Sequence, residues 1–288
     1  MAHVSVDDRR DVSWLDSKLV QRRYLHPAIG GDPEANWLEY FKRRYLPHTV
    51  ARGLTVGSGD GGLERHGAAL GLCEHYDAFD VSPGAIEVAR AAAARAGIPN
   101  VTYAVQDLNH AAFEPARYDV AFSSMALHHI ENLEHLFGEV RAALRPGGLF
   151  VFNEYVGPDR FQWTGRQLFA INAILVLLPP RLRRGISDGR IKPLVRRPTV
   201  EAMIRNMPSE AARSSAILPL TGRSFRIVER IDYGGTILHL LLHDIVGNFR
   251  ADRRGDMAVL STIFAIERWL LRRKVLRSDF ALVVARRE

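Results

Sequence analysis

Four side chains in the middle of the chain are candidates for proton transfer to or from a bound substrate. They are two adjacent imidazoles, a carboxylate and a phenol: His128, His129, Glu154 and Tyr155. Each of these groups can take a proton from a nucleophile that lies within about 3 Å. Glu154 ends an apolar run, which also suits the orientation of a substrate. His129 comes just before a helical segment, where packing or capping is an equally good interpretation.

A glycine-rich loop lies upstream of these groups. Gly57, Gly59, Gly61 and Gly62 follow a short apolar strand and precede a helical segment. Glycine lets the backbone approach a ligand and adopt positive φ at low cost. The helix N-terminus behind it offers free N–H groups to a polar or anionic ligand. The loop fits both G-x-G-x-G and the dinucleotide fingerprint G-x-G-x-x-G, so by itself it leaves the cofactor open.

Other kinds of catalytic centre are not visible in the sequence. The single cysteine, Cys73, excludes an intramolecular disulfide and a cysteine-rich metal site, and it fits a reducing, cytoplasmic compartment. No serine lies in a G-x-S-x-G elbow. Several further histidines lack metal-ligand spacing, so no metal is predicted; these are His3, His26, His48, His66, His75 and His110.

Strands and helices alternate through this part of the chain. Apolar or alternating runs predict strands at 54–56, 75–79, 101–105, 118–124 and 149–153, with helices between them. This order is typical of an α/β, doubly wound, Rossmann-like parallel sheet, in which ligands bind beyond the carboxyl ends of the strands. Five polar or glycine residues fall at those ends: Gly57, Asp80, Asp107, Ser123 and Glu154.

Asp80 is the acid at the end of the second predicted strand, about 20 residues beyond the glycine loop, as in nucleoside-binding folds. Ser82 and Pro83 then begin a helix as N-cap and first-turn residue. An acid in this place can hydrogen-bond both hydroxyls of a ribose, so we favour this role over that of a solvated loop acid.

Five ordered motifs resemble class I S-adenosylmethionine-dependent methyltransferases over about residues 50–155. They are the glycine loop, Asp80-Val81-Ser82-Pro83, Asp107, Leu127-His128-His129-Ile130 and Leu144-Arg145-Pro146-Gly147-Gly148. The turn at 153–163 is also similar to a bacterial subgroup associated with secondary metabolism and surface glycans.

The resemblance implies S-adenosylmethionine as the cofactor. The loop would face its methionine part, Asp80 would hold the ribose, and Asp107 would accept from the adenine amino group. Thr55 stands where the family usually has an acid, so binding of the methionine ammonium group would pass through water or Ser123. The implied cofactor contacts are Thr55, Gly57, Ser58, Gly59, Gly61, Asp80, Val81, Asp107, Leu108 and Ser123.

The resemblance further implies a methyltransferase acting on a small-molecule or glycan acceptor, with O-methylation favoured over N- or C-methylation. Methyl transfer from a sulfonium is an in-line displacement, so positioning and exclusion of water are the protein's main tasks. Glu154, Tyr155, Arg160 and Trp163 open a segment that suits a polar, ring-shaped acceptor. An alternative for Trp163 is that it anchors the segment to the core.

The sequence divides into four predicted parts. These are an N-terminal helical cap at 1–50, a cofactor-binding core at 51–156, a helical cap insertion over the active site at 157–222, and C-terminal elements at 223–288. The last part would complete a seven-stranded sheet with an antiparallel C-terminal strand. Two rival functions stay open: an NAD(P)-dependent oxidoreductase that uses Gly57, Gly59 and Gly62, and a non-catalytic cofactor-binding protein.

Composition limits the partners. The net charge is +7, but the arginines concentrate late in the chain without a recognisable nucleic-acid module, so no nucleic acid is expected.

The polar N-terminus predicts no signal peptide, and no apolar run is long enough to span a membrane. The apolar run at 169–180, followed by arginines, predicts a buried helix and a solvated basic loop. A second interpretation is weak association with a membrane surface. The oligomeric state stays open.

Overall fold

Seven strands form the regular β-structure of residues 12–288, the part of the chain that this computed structural model describes. They are β1 (Val50–Val56), β2 (Cys73–Asp80), β3 (Val101–Val105), β4 (Tyr118–Ser124), β5 (Leu144–Tyr155), β6 (Arg226–Gly234) and β7 (Phe280–Arg286). The α-helices are α1 (Lys18–Val20), α2 (His26–Gly30), α3 (Trp37–Tyr45), α4 (Gly62–Ala69), α5 (Pro83–Arg95), α6 (Leu133–Ala143), α7 (Gly165–Leu177), α8 (Val200–Asn206), α9 (Ile217–Ser224), α10 (Leu238–Leu242) and α11 (Arg254–Arg272). A π-helical segment (Gln21–Leu25) joins α1 to α2.

The strands form one sheet in the order β3-β2-β1-β4-β5-β7-β6. β1 to β5 are parallel to one another, and β7 runs antiparallel to β5, with Val151 opposite Val284. The predicted α/β Rossmann-like fold with an antiparallel C-terminal strand is therefore confirmed. Parallel strands joined by helices place the carboxyl ends of β1, β2, β4 and β5 at one edge of the sheet, where the predicted site residues fall.

The middle of the sheet is apolar on both faces, as strands covered on both sides require. Phe150, Val151 and Phe152 in β5 are fully buried, and α6 packs Phe137 and Val140 into the same cluster. Each such side chain contributes roughly 1.5–3 kcal/mol by leaving water. This packing fixes the strand ends that carry the polar residues.

The chain divides into two compact units. The core unit consists of residues 37–161, 199–232 and 280–288, and the second unit contains residues 12–36, 162–198 and 233–279. The segment predicted as one cap insertion, 157–222, thus contributes to both units. The predicted four-part division stays a prediction, and its first eleven residues lie outside the described part of the chain.

A buried carboxylate organises the second unit. Glu267 in α11 is fully buried and accepts hydrogen bonds from the Tyr24 hydroxyl (2.5 Å) and from the backbone N–H groups of Gly235, Ile237 and Leu238 (2.9, 2.6 and 3.0 Å). Four donors to one carboxylate compensate much of its cost of burial. This carboxylate therefore ties α11 to two distant segments of the chain.

Helix α7 is less buried than its sequence predicted. Ile171 and Leu175 are buried, but Phe169 is 76% exposed and Leu177 is 83% exposed. Phe169 lines an apolar surface pocket of about 470 Å³ in the second unit, together with Gly165, Arg166, Ala170, Leu270, Val275 and Leu276. The prediction of a buried helix is thus correct for one face and wrong for the face that carries Phe169. Among the helices of residues 12–288, none has the length and apolar character needed to cross a bilayer.

Candidate active site

The glycine loop is held against the end of β2 by backbone hydrogen bonds. The N–H groups of Gly57 and Ser58 donate to the carbonyl of Phe79 at 2.9 and 3.0 Å. Gly57 has φ of +78°, and a Cβ there would lie 2.2 Å from the Cβ of Ala126, so only glycine fits. Gly61 has φ of +77°, and a Cβ there would lie 2.5 Å from the hydroxyl of Tyr103. Ala126 and Tyr103 therefore leave no room for a side chain at these two positions of the loop.

Asp80 connects this loop to the next helix. One carboxylate oxygen accepts from the N–H of Gly59 (2.8 Å), and the other accepts from the N–H of Ser82 (2.9 Å). The Ser82 hydroxyl caps α5 by accepting from Ala85 N–H (3.2 Å). A carboxylate has about four acceptor positions, so Asp80 keeps capacity for further donors such as ribose hydroxyls. The side chain of Asp80 is half-buried at the loop.

Asp107, at the end of β3, is held in a short turn. Its carboxylate accepts from the backbone N–H of Asn109 (2.9 Å) and from the Asn109 side-chain amide (3.0 Å). The backbone N–H of Asn109 is the main reason that the pKa of Asp107 lies below its usual value. The neighbouring Leu108 is 4% exposed and belongs to the core cluster, whereas Val81 is 63% exposed. Of these two apolar residues, both predicted to contact the cofactor, Val81 is thus the accessible one.

The polar residues under the loop are buried. Ser123 donates to the carbonyl of Val56 at 3.0 Å and is fully buried. The hydroxyls of Thr55 and Ser58 have no hydrogen-bond partner among residues 12–288. Beside Thr55 lies Glu64 of α4, whose fully buried carboxyl also has no partner among the described residues. Glu64 was not predicted from the sequence, where it looks like an ordinary acid in the first turn of α4.

Glu64 makes stability depend on pH. Burial raises the pKa of Glu64 from 4.5 to about 7. The folded-state pKa of Glu64 therefore lies above its unfolded-state pKa. The contribution of neutral Glu64 to the free energy of unfolding is fully present below pH 4.5, and it is lost as the pH rises through 7. We expect Glu64→Gln to gain about 3 kcal/mol relative to the native protein between pH 5 and pH 8. Urea unfolding across this range measures the difference. The exposed Glu87→Gln serves as control, and parallel profiles for Glu64→Gln and the native protein would contradict the prediction.

Glu154 holds the turn that carries the two histidines. Its carboxylate accepts from the N–H groups of Ala126 (2.8 Å) and Leu127 (2.7 Å), from His128 Nδ1 (2.5 Å) and from its neighbour Tyr155 N–H (2.6 Å). It is fully buried. These contacts fix the short 3₁₀ turn Leu127–His129 and the ring of His128. Glu154 was predicted as a base or a substrate contact, and its position favours a role exerted through His128.

The two imidazoles differ in environment. His128 is 5% exposed; burial lowers its pKa, but Glu154 and Glu210 outweigh this effect and the net shift is upward. The side chain of His129 is 41% exposed, and its pKa is lowered by burial and by the positive charge of His128. Of the predicted proton-transfer groups in the core unit, His129 is therefore the accessible one.

Glu210 joins this pair from a distant part of the chain. One of its oxygens lies 3.6 Å from His128 Nε2 and the other lies 3.6 Å from His129 Nδ1. The segment that carries it is fixed by a hydrogen bond from Ala212 N–H to the carbonyl of His128 (3.2 Å). Glu210 was not predicted from the sequence, because nothing in its local sequence distinguishes it from a surface acid.

The remaining predicted substrate contacts are more enclosed than expected. Tyr155 is 2% exposed, and its hydroxyl donates to the carbonyl of Pro158 at 3.1 Å. Arg160 has φ of +51° and its guanidinium donates to the carbonyl of Pro208. Trp163 belongs to the second unit, where it is 6% exposed and its carbonyl accepts from Arg197 Nε at 2.7 Å. Burial of Trp163 favours the anchoring alternative.

Part of this chain is similar in sequence to known methyltransferases. Residues 54–152 match the family described as methyltransferase domain. The ubiquinone biosynthesis O-methyltransferase of Methylobacterium nodulans is 33% identical over 108 residues, which are 38% of this chain and 42% of that protein. The chain spans between 4% and 42% of the length of the curated relatives it matches.

Two solved structures show the same fold. An S-adenosylmethionine-dependent methyltransferase from Mesorhizobium loti is 23% identical with a TM-score of 0.51, covering 87% of this chain and 98% of that one. Phosphoethanolamine N-methyltransferase 2 of Haemonchus contortus, in complex with S-adenosyl-L-methionine, is 19% identical with a TM-score of 0.55, covering 88% of this chain and 53% of that one.

Proposed function

We propose that this protein transfers the methyl group of S-adenosylmethionine to an oxygen of a small-molecule or glycan acceptor. The proposal starts from the match of residues 54–152 to a methyltransferase domain. The observation that carries the proposal is Asp80, whose carboxylate joins the glycine loop to the start of α5 and keeps acceptor capacity. A nucleoside whose ribose binds Asp80 would have the loop beside its sulfonium side chain. Exposed Val81 and the carboxylate of Asp107 would contact the adenine.

The choice of oxygen as acceptor rests on the histidine pair. A hydroxyl must lose its proton during methyl transfer, and an imidazole within hydrogen-bonding reach can receive it. His129 is accessible, and the charge of Asp80 acts on it. The relative that carries O-methyltransferase in its name supports the same choice.

Two rival functions are separable from this proposal. A plain dinucleotide-binding domain would lack the antiparallel β7 beside β5, which argues against a nicotinamide-dependent oxidoreductase. A cofactor-binding protein without turnover would bind S-adenosylmethionine but methylate nothing. A methyl-transfer screen with radiolabelled cofactor against cell extracts and defined glycans and phenols separates it from an enzyme.

Cofactor affinity tests the proposal directly. S-adenosylhomocysteine should raise the melting temperature of the purified protein by mass action, and calorimetry should give its affinity. Asp80→Ala should weaken binding by roughly 1–3 kcal/mol, because it leaves buried hydroxyls unpaired. Asp107→Ala should weaken it less, since one amino donor is lost rather than two hydroxyls. Tight NADH binding without a response to S-adenosylhomocysteine would overturn the assignment.

A further inference from the structure

The histidine pair and Glu210 form a group of potential metal ligands. Each of His128, His129 and Glu210 offers one possible ligand atom, and these three atoms lie within 4.8 Å of one another. Metal–ligand bonds to imidazole nitrogen and carboxylate oxygen are about 2.0–2.2 Å long, so two ligands of one ion lie about 3 to 3.5 Å apart. His128 Nε2 lies 3.6 Å from Glu210 Oε1, and His129 Nδ1 lies 3.6 Å from Glu210 Oε2, so each imidazole is close to this range from one carboxylate oxygen.

The ligand atoms are presented as a metal site requires. His128 directs Nδ1 to Glu154 at 2.5 Å, which leaves Nε2 for an ion. A carboxylate behind a ligating histidine fixes the ring and makes it a stronger ligand. Glu154 also binds the N–H groups of Ala126 and Leu127, so the backbone that carries both imidazoles is fixed by the same group.

The third ligand is fixed independently. Arg213 follows Glu210 closely and forms a bidentate pair with Glu134, with both N–O distances 2.6 Å. Together with the bond from Ala212 to His128, this holds the 210–213 segment against the histidine turn. Such contacts reduce the conformational entropy that an ion would otherwise have to remove on binding.

We propose that His128, His129 and Glu210 bind a divalent first-row transition metal ion, with Glu154 as the outer carboxylate. Two imidazoles and one carboxylate favour Zn²⁺, Fe²⁺ or Co²⁺ over Mg²⁺, which prefers oxygen ligands. Three protein ligands leave at least one coordination position open, as in catalytic zinc sites. His129 and Glu210 are partly exposed, so the open position is reachable from solvent.

The role of the ion rests on the proposed function. An acceptor hydroxyl that binds at the open position would lose its proton to water more easily. Its oxygen would then attack the methyl carbon, the new O–C bond would form as the S–C bond breaks, and the sulfur would leave as a neutral thioether with the bonding electron pair. In this arrangement His129 would be a ligand, and the ion would replace it as the group that promotes loss of the hydroxyl proton.

Metal binding can be measured without cofactor or acceptor. The untagged protein is stripped with a chelator and titrated with Co²⁺, whose visible absorption reports coordination, and with Zn²⁺ by calorimetry. We expect one ion per chain. His129→Ala and Glu210→Gln should each weaken binding at least 100-fold, and both change partly exposed residues. Exposed His48→Ala and Glu87→Gln are the matched controls and should bind as the native protein does.

The outcomes separate the two proposals. Absence of Co²⁺ binding, or equal binding by the native protein and the His129→Ala, Glu210→Gln double variant, would overturn the metal site. Binding that follows His129 and Glu210 supports the site even when S-adenosylhomocysteine fails to bind, a result that would overturn only the proposed methyl transfer. Circular dichroism of each variant shows whether it is folded.

Discussion

Glu154→Ala is expected to lower the free energy of unfolding by about 3–5 kcal/mol, the usual cost of removing one partner of a buried ion pair. The substitution leaves the N–H groups of Ala126 and Leu127 without their acceptor inside the protein, and it leaves His128 without the group that orients its ring. Acceptor turnover should fall as well, because the histidine turn loses its fixed position.

Urea denaturation followed by circular dichroism measures the stability difference. Glu131→Ala, an exposed acid close to the same turn, is the matched control and should change stability by less than about 0.5 kcal/mol. If Glu154→Ala unfolds within 1 kcal/mol of the native protein but loses all turnover, Glu154 acts directly on the substrate, as the sequence first indicated.

Trp163→Ala should destabilise the second unit by roughly 3–5 kcal/mol, as truncation of a large buried aromatic side chain does. The indole is 6% exposed, and its backbone carbonyl is bound by Arg197. Affinity for S-adenosylhomocysteine at a temperature where the variant is folded should stay close to the native value.

Trp269→Ala provides the comparison within the same unit, because Trp269 is 50% exposed and should cost much less. Thermal melting of the two variants side by side decides between the two roles for Trp163. Equal melting temperatures together with loss of acceptor turnover only in Trp163→Ala would identify this tryptophan as a substrate contact.

Local signals predicted the framework well. The resemblance to class I S-adenosylmethionine-dependent methyltransferases is confirmed for the domain at 54–152, and β3 and β4 have the predicted bounds. β1 and β5 are longer than predicted. β1 begins at Val50, and β5 begins at Leu144, before the Pro146-Gly147-Gly148 turn. A register shift between Tyr118 and Val120 lets β5 pair with β4 across this turn, which a local pattern does not reveal.

The site was predictable only where it follows the strand ends. Asp80 and Asp107 could be named from the sequence because they follow the second and third strands, and their roles in cofactor binding stay predictions. Glu64 was not predicted because an acid in the first turn of a helix is usually solvated. Glu210 was not predicted because His128, which it faces, precedes it by 82 residues. Glu154 was identified by its strand, but its four donors come from the histidine turn and from its own neighbour, which only the folded chain brings to it.

The position of β7 beside β5 limits which fragments of this chain can fold. β5 lies between β4 and β7, and Phe150 and Phe152 are buried there. A fragment limited to the recognised domain, ending at residue 152, would leave the backbone N–H and C=O groups of β5 unpaired along one whole side. Open, apolar edge strands pair with other chains and aggregate. Expression of the short domain should therefore give insoluble material, and any soluble fragment has to retain the last nine residues, 280–288, which lie far beyond the recognisable motifs.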